Sequence, residues 1–109
     1  MKFNHWGSGE FEVSQLGLGT VALGMPYGLS NIPPPEERQS IALMHRAFEA
    51  GINYVDTASA YGNSEEVVGK ACISAPFQPM VCTKVTIPKK CDSCVIIQLL
   101  SQQLEKSRY

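Results

Sequence analysis

Three short apolar segments, each running into a polar or glycine-rich turn, are separated by stretches with helical spacing. This alternation is what most limits the folds open to the chain. The segments are QLGLGT (Gln15 to Thr20), INYVDT (Ile52 to Thr57) and MVCTKV (Met80 to Val85), each with the length and apolar run of a short buried strand. Between the first two, PPPEERQSIALMHRAFEAG opens on prolines and acids, repeats Ile41, Met44 and Phe48 at helical spacing, and stops at Gly51. After the second, Asn63 or Ser64 can cap a helix through SEEVVGKAC, with Glu65 and Glu66 near its positive end and Val67, Val68 and Ala71 facing inward. After the third, Asp92 or Ser93 can cap CVIIQLLSQQLEK, whose Ile96, Leu99, Leu100 and Leu104 form an apolar stripe.

Strand and helix alternating three times is the pattern of an α/β fold, a parallel sheet with right-handed crossovers. Ahead of it, KFNHW, the turn GSG and EFEVS predict a two-stranded hairpin over about residues 2–14. The βα units then fall at about 15–51, 52–79 and 80–109 of one domain. Asp56 and Lys84 are 28 residues apart, close to the roughly 31 per unit of a β/α barrel with about 250 residues in eight units. That spacing predicts Asp56 and Lys84 at equivalent points, the C-terminal ends of neighbouring parallel strands about 4.8 Å apart. Thr20 closes the first strand at the same level, and active sites of such folds lie at that end.

The nine basic and ten acidic residues nearly cancel and are scattered. Nothing in that balance points to a nucleic acid or an anionic membrane as partner. No apolar run approaches the roughly 20 residues of a membrane helix, and MKFNHWGSGE lacks a signal core, so the expected location is cytoplasmic. Without a secretion signal, Cys72, Cys82, Cys91 and Cys94 read as free thiols in a reducing compartment, and their irregular spacing gives no metal site.

Two motifs weaken on inspection. GLGTVA, residues 17 to 22, formally fits the dinucleotide fingerprint, but Leu23, Gly24, Met25 and Pro26 follow, and no helix is expected to open there on a pyrophosphate. CDSC, Cys91 to Cys94, has redox spacing near an expected helix start, where a thiolate would be favoured, but the ordinary thiol pair is the leading reading.

Asp56, Tyr61 and Lys84 carry the chemistry worth weighing. Singly, each has a plain structural reading: a strand-end carboxylate bonded to a loop, a packed tyrosine with its hydroxyl in water, a surface lysine. Lys84, however, shares the strand phase of Met80 and Cys82, and a lysine within a buried parallel sheet needs a partner, for which Asp56 is the nearest candidate. A phenol ordinarily titrates near 10, too high for efficient proton exchange at neutrality, and an adjacent ammonium favours the phenolate. Asp56 would hold Lys84 charged, and Lys84 would make Tyr61 a usable general acid.

At these residues the chain resembles a known family. VSQLGLGTVALG, AFEAGINYVDTASAYGNSEEVVGKA and VCTKV are similar to the N-terminal third of an aldo-keto reductase, over most of residues 2 to 87. The resemblance implies a partial (β/α)8 TIM barrel, a hairpin plus the first three βα units. It also implies an extended nicotinamide cofactor, usually NADPH, and hydride transfer to a small aldehyde or ketone. By position, Tyr61 would donate the proton, Lys84 would lower its pKa, and Asp56 would pair with the lysine beside the nicotinamide ribose. Gly19, Thr20 and Val21 match the turn that borders the nicotinamide.

The family's catalytic histidine at the end of the fourth strand has no counterpart, since His5 falls in the hairpin and His45 in the first helix. Three units cannot close a barrel, and the third strand would expose an edge. The chain is therefore expected to be a fragment, inactive alone. The alternative is a non-catalytic partial barrel that binds a partner through its open edge or its thiols. Substrate identity, NADP against NAD and oligomeric state are not written in these residues.

Overall fold

Each expected strand forms, but shorter than its apolar segment. A computed structural model of the chain describes residues 1–87, 97–98 and 101–102. The first strands, β1 (Phe3–Trp6) and β2 (Phe11–Ser14), pair antiparallel as the expected hairpin, Phe3 opposite Ser14 and Trp6 opposite Phe11. The second sheet is parallel, in the order β3 (Leu18–Gly19), β4 (Tyr54–Asp56), β5 (Met80–Cys82).

A single helical turn, α1 (Val21–Gly24), follows β3 and begins within GLGTVA, which corrects the expectation that no helix opens there. It ends at once, because Met25 is extended and Pro26 follows. A turn this short brings no helix dipole to a pyrophosphate.

Helix α2 (Glu37–Glu49) matches its predicted limits. Glu36 and Gln39 close a reciprocal capping box at its start, and Gly51, at a φ of 92°, takes the left-handed conformation that ends it. Helix α3 (Ser64–Ile73) begins as predicted, with Glu65 and Glu66 in its first turn, but neither Asn63 nor Ser64 makes a side-chain cap. The Ser64 hydroxyl instead meets those of Thr20 and Thr57.

Strand alternation sorts the two faces of the parallel sheet. Val55, flanked by Leu18 and Val81, meets Met44 and Phe48 of α2 and Val67, Val68 and Ala71 of α3, with Leu23 closing the cluster. Tyr54, Asp56, Met80 and Cys82 alternate to the other face. The hairpin docks beneath them. Asn53 takes the Ser14 amide on its Oδ1 at 2.8 Å, and its Nδ2 donates to the Glu12 carbonyl at 2.8 Å. The Trp6 ring meets Tyr54 edge-on at 5.9 Å.

Most of the third expected helix, and Cys91 and Cys94 with it, lies outside the described residues; 97–98 and 101–102 are helical.

Candidate active site

The register sets Gly19 opposite Asp56 and Asp56 opposite Cys82. Lys84 is thus two residues beyond the level of Asp56, past the end of β5, and not at the equivalent strand position expected from spacing. Nor is it inside a buried sheet: its side chain is 51% exposed and that of Asp56 38%. β5 ends at Cys82 because the chain beyond it turns to bond the loop after β4 instead of continuing a ladder. The Ser59 amide and hydroxyl both donate to the Lys84 carbonyl at 3.1 Å.

The lysine closes the gap with its side chain. Its Nζ donates to both carboxylate oxygens of Asp56 at 2.7 Å and to the Thr57 carbonyl at 3.0 Å. Nζ also lies 5.2 Å from the centre of the Tyr61 ring, within reach of a cation–π attraction. The hydrogen bond to Asp56 raises the Lys84 pKa above its ordinary value; loss of solvation opposes it in part, and Tyr61 adds a smaller rise. The ammonium is therefore the form held beside the phenol across the physiological range. All three expected residues come together at the C-terminal ends of the strands.

A second tyrosine lies on the same sheet face, and its environment works the other way. The Cys82 side chain beside Tyr54 raises its pKa, with burial adding to the effect. A raised pKa makes the Tyr54 proton harder to give.

The residues expected near a cofactor divide. Gly19 is exposed, with no atom within 4 Å of where a side chain would begin, so its backbone faces open space level with Asp56. Val21 is half-buried in α1. Thr20 is fully buried, and its hydroxyl donates to the Asp56 carbonyl at 2.9 Å. Its side chain is a structural tie and the residue presents no surface, which corrects its assignment to the border of a ligand.

The sequence reading missed Thr57, Ser59 and Ser64. Thr57 and Ser64 are buried and joined at 2.9 Å, and Ser64 reaches the Thr20 hydroxyl at 2.7 Å. The available signal was the small hydroxyl residues just past a strand end, in DTAS, and at a helix start, in GNS, where a buried side chain must find a partner. His5 pairs loosely with Glu12 at 3.8 Å, and His45 Nε2 lies 3.1 Å from the Ala71 carbonyl, both away from the trio. Two surface hollows, lined by Trp6 with Tyr54 and by Trp6 with Phe11 and Met80, lie at the hairpin end, opposite Lys84.

The sequence pattern of the Aldo/keto reductase family matches residues 15–109, which includes β3 to β5 and the whole trio. The chain belongs to this family.

This aldo/keto reductase chain is 31% identical over 86 residues to the uncharacterized oxidoreductase YqkF of Bacillus subtilis (strain 168), covering 77% of the chain and 25% of that protein. It is 37% identical over 87 residues to probable aldo-keto reductase 1 of Glycine max, covering 77% of the chain and 24% of that protein. Its fold superposes on the thermostable aldo-keto reductase Tm1743, solved with the inhibitor epalrestat, with a TM-score of 0.71 and 25% identity, over 98% of this chain and 39% of that one. The chain spans about a quarter of the length of the curated relatives it matches. Its hairpin and parallel βα units are thus part of a TIM barrel. Among the described residues no helix is long and apolar enough to cross a membrane, and no cluster of His, Cys, Asp and Glu could hold a metal.

Proposed function

We propose that the protein carrying this chain is an NADP-dependent reductase of small aldehydes and ketones. Tyr61 gives the proton to the carbonyl oxygen, Lys84 stabilises the phenolate that remains, and Asp56 holds the ammonium in place. The observation that carries this reading is the Lys84 ammonium, bonded to Asp56 at 2.7 Å and lying 5.2 Å from the Tyr61 ring centre.

Reduction of a carbonyl adds a hydride to carbon and a proton to oxygen. A bound nicotinamide would supply the hydride. The open backbone at Gly19, level with the half-exposed Asp56 carboxylate, leaves room for such a flat, polar group. Tyr61 holds the proton until the oxygen gains charge. As the O–H bond breaks, negative charge grows on the phenol oxygen beside a fixed positive charge, so the transition state is stabilised more than the ground state.

Oxidation of NADPH in the presence of a simple aldehyde tests the reading in the protein at its natural length. Tyr61→Phe keeps the ring and removes the proton, and turnover should fall by about 100- to 10,000-fold, the usual range for losing a general acid. Unchanged turnover would remove Tyr61 from its role. Substitution of Lys84 by methionine, which removes the charge beside the phenol, should also lower turnover.

A further inference from the structure

Ser64 is the first residue of α3, one place after the Asn63 cap position, and its side chain turns to the sheet. Its hydroxyl lies 2.7 Å from Thr20 Oγ1 and 2.9 Å from Thr57 Oγ1, and it can also reach the Thr20 carbonyl at 3.0 Å. Each hydroxyl has one proton to give. Thr20 gives its proton to the Asp56 carbonyl. Ser64 gives its own to Thr20, so the Thr57 hydroxyl must be the donor to Ser64. The result is a directed chain, Thr57 to Ser64 to Thr20 to the Asp56 carbonyl, among three side chains with no exposed surface.

This chain closes the loop that carries Tyr61. Thr57 follows β4, Ser64 opens α3, and only Ala58 to Asn63 lie between. The Ser64 amide donates to the Tyr61 carbonyl at 3.0 Å, so the serine holds the loop by backbone and side chain together. The Asn63 amide donates to the Gly24 carbonyl at 3.2 Å, which presses the loop against the end of α1. On the far side, Lys84 grips the Thr57 carbonyl. Tyr61 and Lys84 are therefore fastened to one short closed loop, whose closure rests on the Ser64 hydroxyl.

We propose that Ser64 is a positioning residue for the proton donor: its hydroxyl clasps Thr57 and Thr20, and the clasp sets the Tyr61 ring against the Lys84 ammonium. The proposal rests on the reading of Tyr61 as the donor, but its test reads where the ring sits and not how fast the protein turns over.

The ring current of Tyr61 shifts the ε-methylene protons of Lys84, and Tyr61→Leu defines their position without a ring. In protein carrying 13C at the lysine ε carbons, Ser64→Ala and Thr57→Val should each move the Lys84 signal at least halfway to the Tyr61→Leu position. Thr57→Ser keeps the hydroxyl and should keep the wild-type signal. A wild-type signal in folded Ser64→Ala or Thr57→Val overturns the proposal, even if either variant melts earlier. If neither folds, the hydroxyls determine the fold and not the position of the ring, and the proposal is equally lost. Turnover of Tyr61→Phe is measured separately: full activity there would reject the donor while leaving the clasp intact.

Discussion

The Lys84 ammonium bonds both oxygens of the Asp56 carboxylate at 2.7 Å, although the strand register puts Cys82, not Lys84, opposite Asp56. The pair is made by a long side chain reaching back along the sheet end. Both partners are substantially exposed, so solvent screens the pair and its worth lies in where it holds the charge more than in stability.

Asp56→Asn should lower the Lys84 titration midpoint, because the hydrogen bond to Asp56 is the largest cause of its raised pKa. Titration of the lysine ε carbon by NMR reads this directly. An unaltered midpoint would show that the carboxylate does not hold the ammonium.

Alkali should weaken the fold through the same group. The folded-state pKa of Lys84 lies above its unfolded value, so its contribution is complete below the ordinary lysine pKa of about 10.4 and is lost as pH rises through the folded value. Lys84→Met, which has no proton to lose, should show a shallower fall in melting temperature above about pH 10. Parallel curves for the two proteins would contradict this.

Gly62→Ala should destabilise the fold and Gly19→Ala should not. Gly62 has a φ of 58°, and a side chain there would run into the Gly24 carbonyl. The left-handed conformation alone costs an ordinary residue about 1–2 kcal/mol, and the contact adds to it. At Gly19 nothing is near, and a change within about 0.5 kcal/mol is expected. Urea midpoints compare the two, and equal effects would mean that the loop does not rest on α1 as described.

Phe48→Ala should cost about 3–5 kcal/mol. Its side chain is 1% exposed and packs on Phe77, with ring centres 5.8 Å apart, as well as in the cluster around Val55. Against the few kcal/mol that a small domain has in reserve, such a loss approaches full unfolding. Native-like circular dichroism and an unchanged urea midpoint would show that this cluster is not the core.

Cys72 should be alkylated slowly in the folded protein, since burial raises its thiol pKa and depletes the thiolate. Iodoacetamide labelling at about pH 8, followed by peptide mass spectrometry, should show a large acceleration in urea. Equal rates in both states would place the thiol in water.

Much of this was legible along the chain. Ile41, Met44 and Phe48 at helical spacing, with Gly51 after them, marked α2 nearly to the residue, because helix periodicity and its stop signal are local. The hairpin and the three parallel strands were legible for the same reason. That Asp56, Tyr61 and Lys84 meet was legible from residue types and spacing. Its geometry was not. Thr20 looked like a ligand-facing turn residue and is an internal tie; Ser64 looked like a helix cap and is a clasp; Lys84 looked like a strand residue and lies beyond the strand.

The sequence by itself determined which segments become strands and helices, since apolar period, caps and breakers act over a few residues. Only the tertiary structure decided which hydroxyl meets which, and how Lys84 reaches Asp56. Those contacts join residues such as Thr20 and Ser64, which are far apart in the chain and brought together only when β3, β4 and α3 pack. A buried hydroxyl must bond to something, but its partner is chosen by whichever strand end lands beside it.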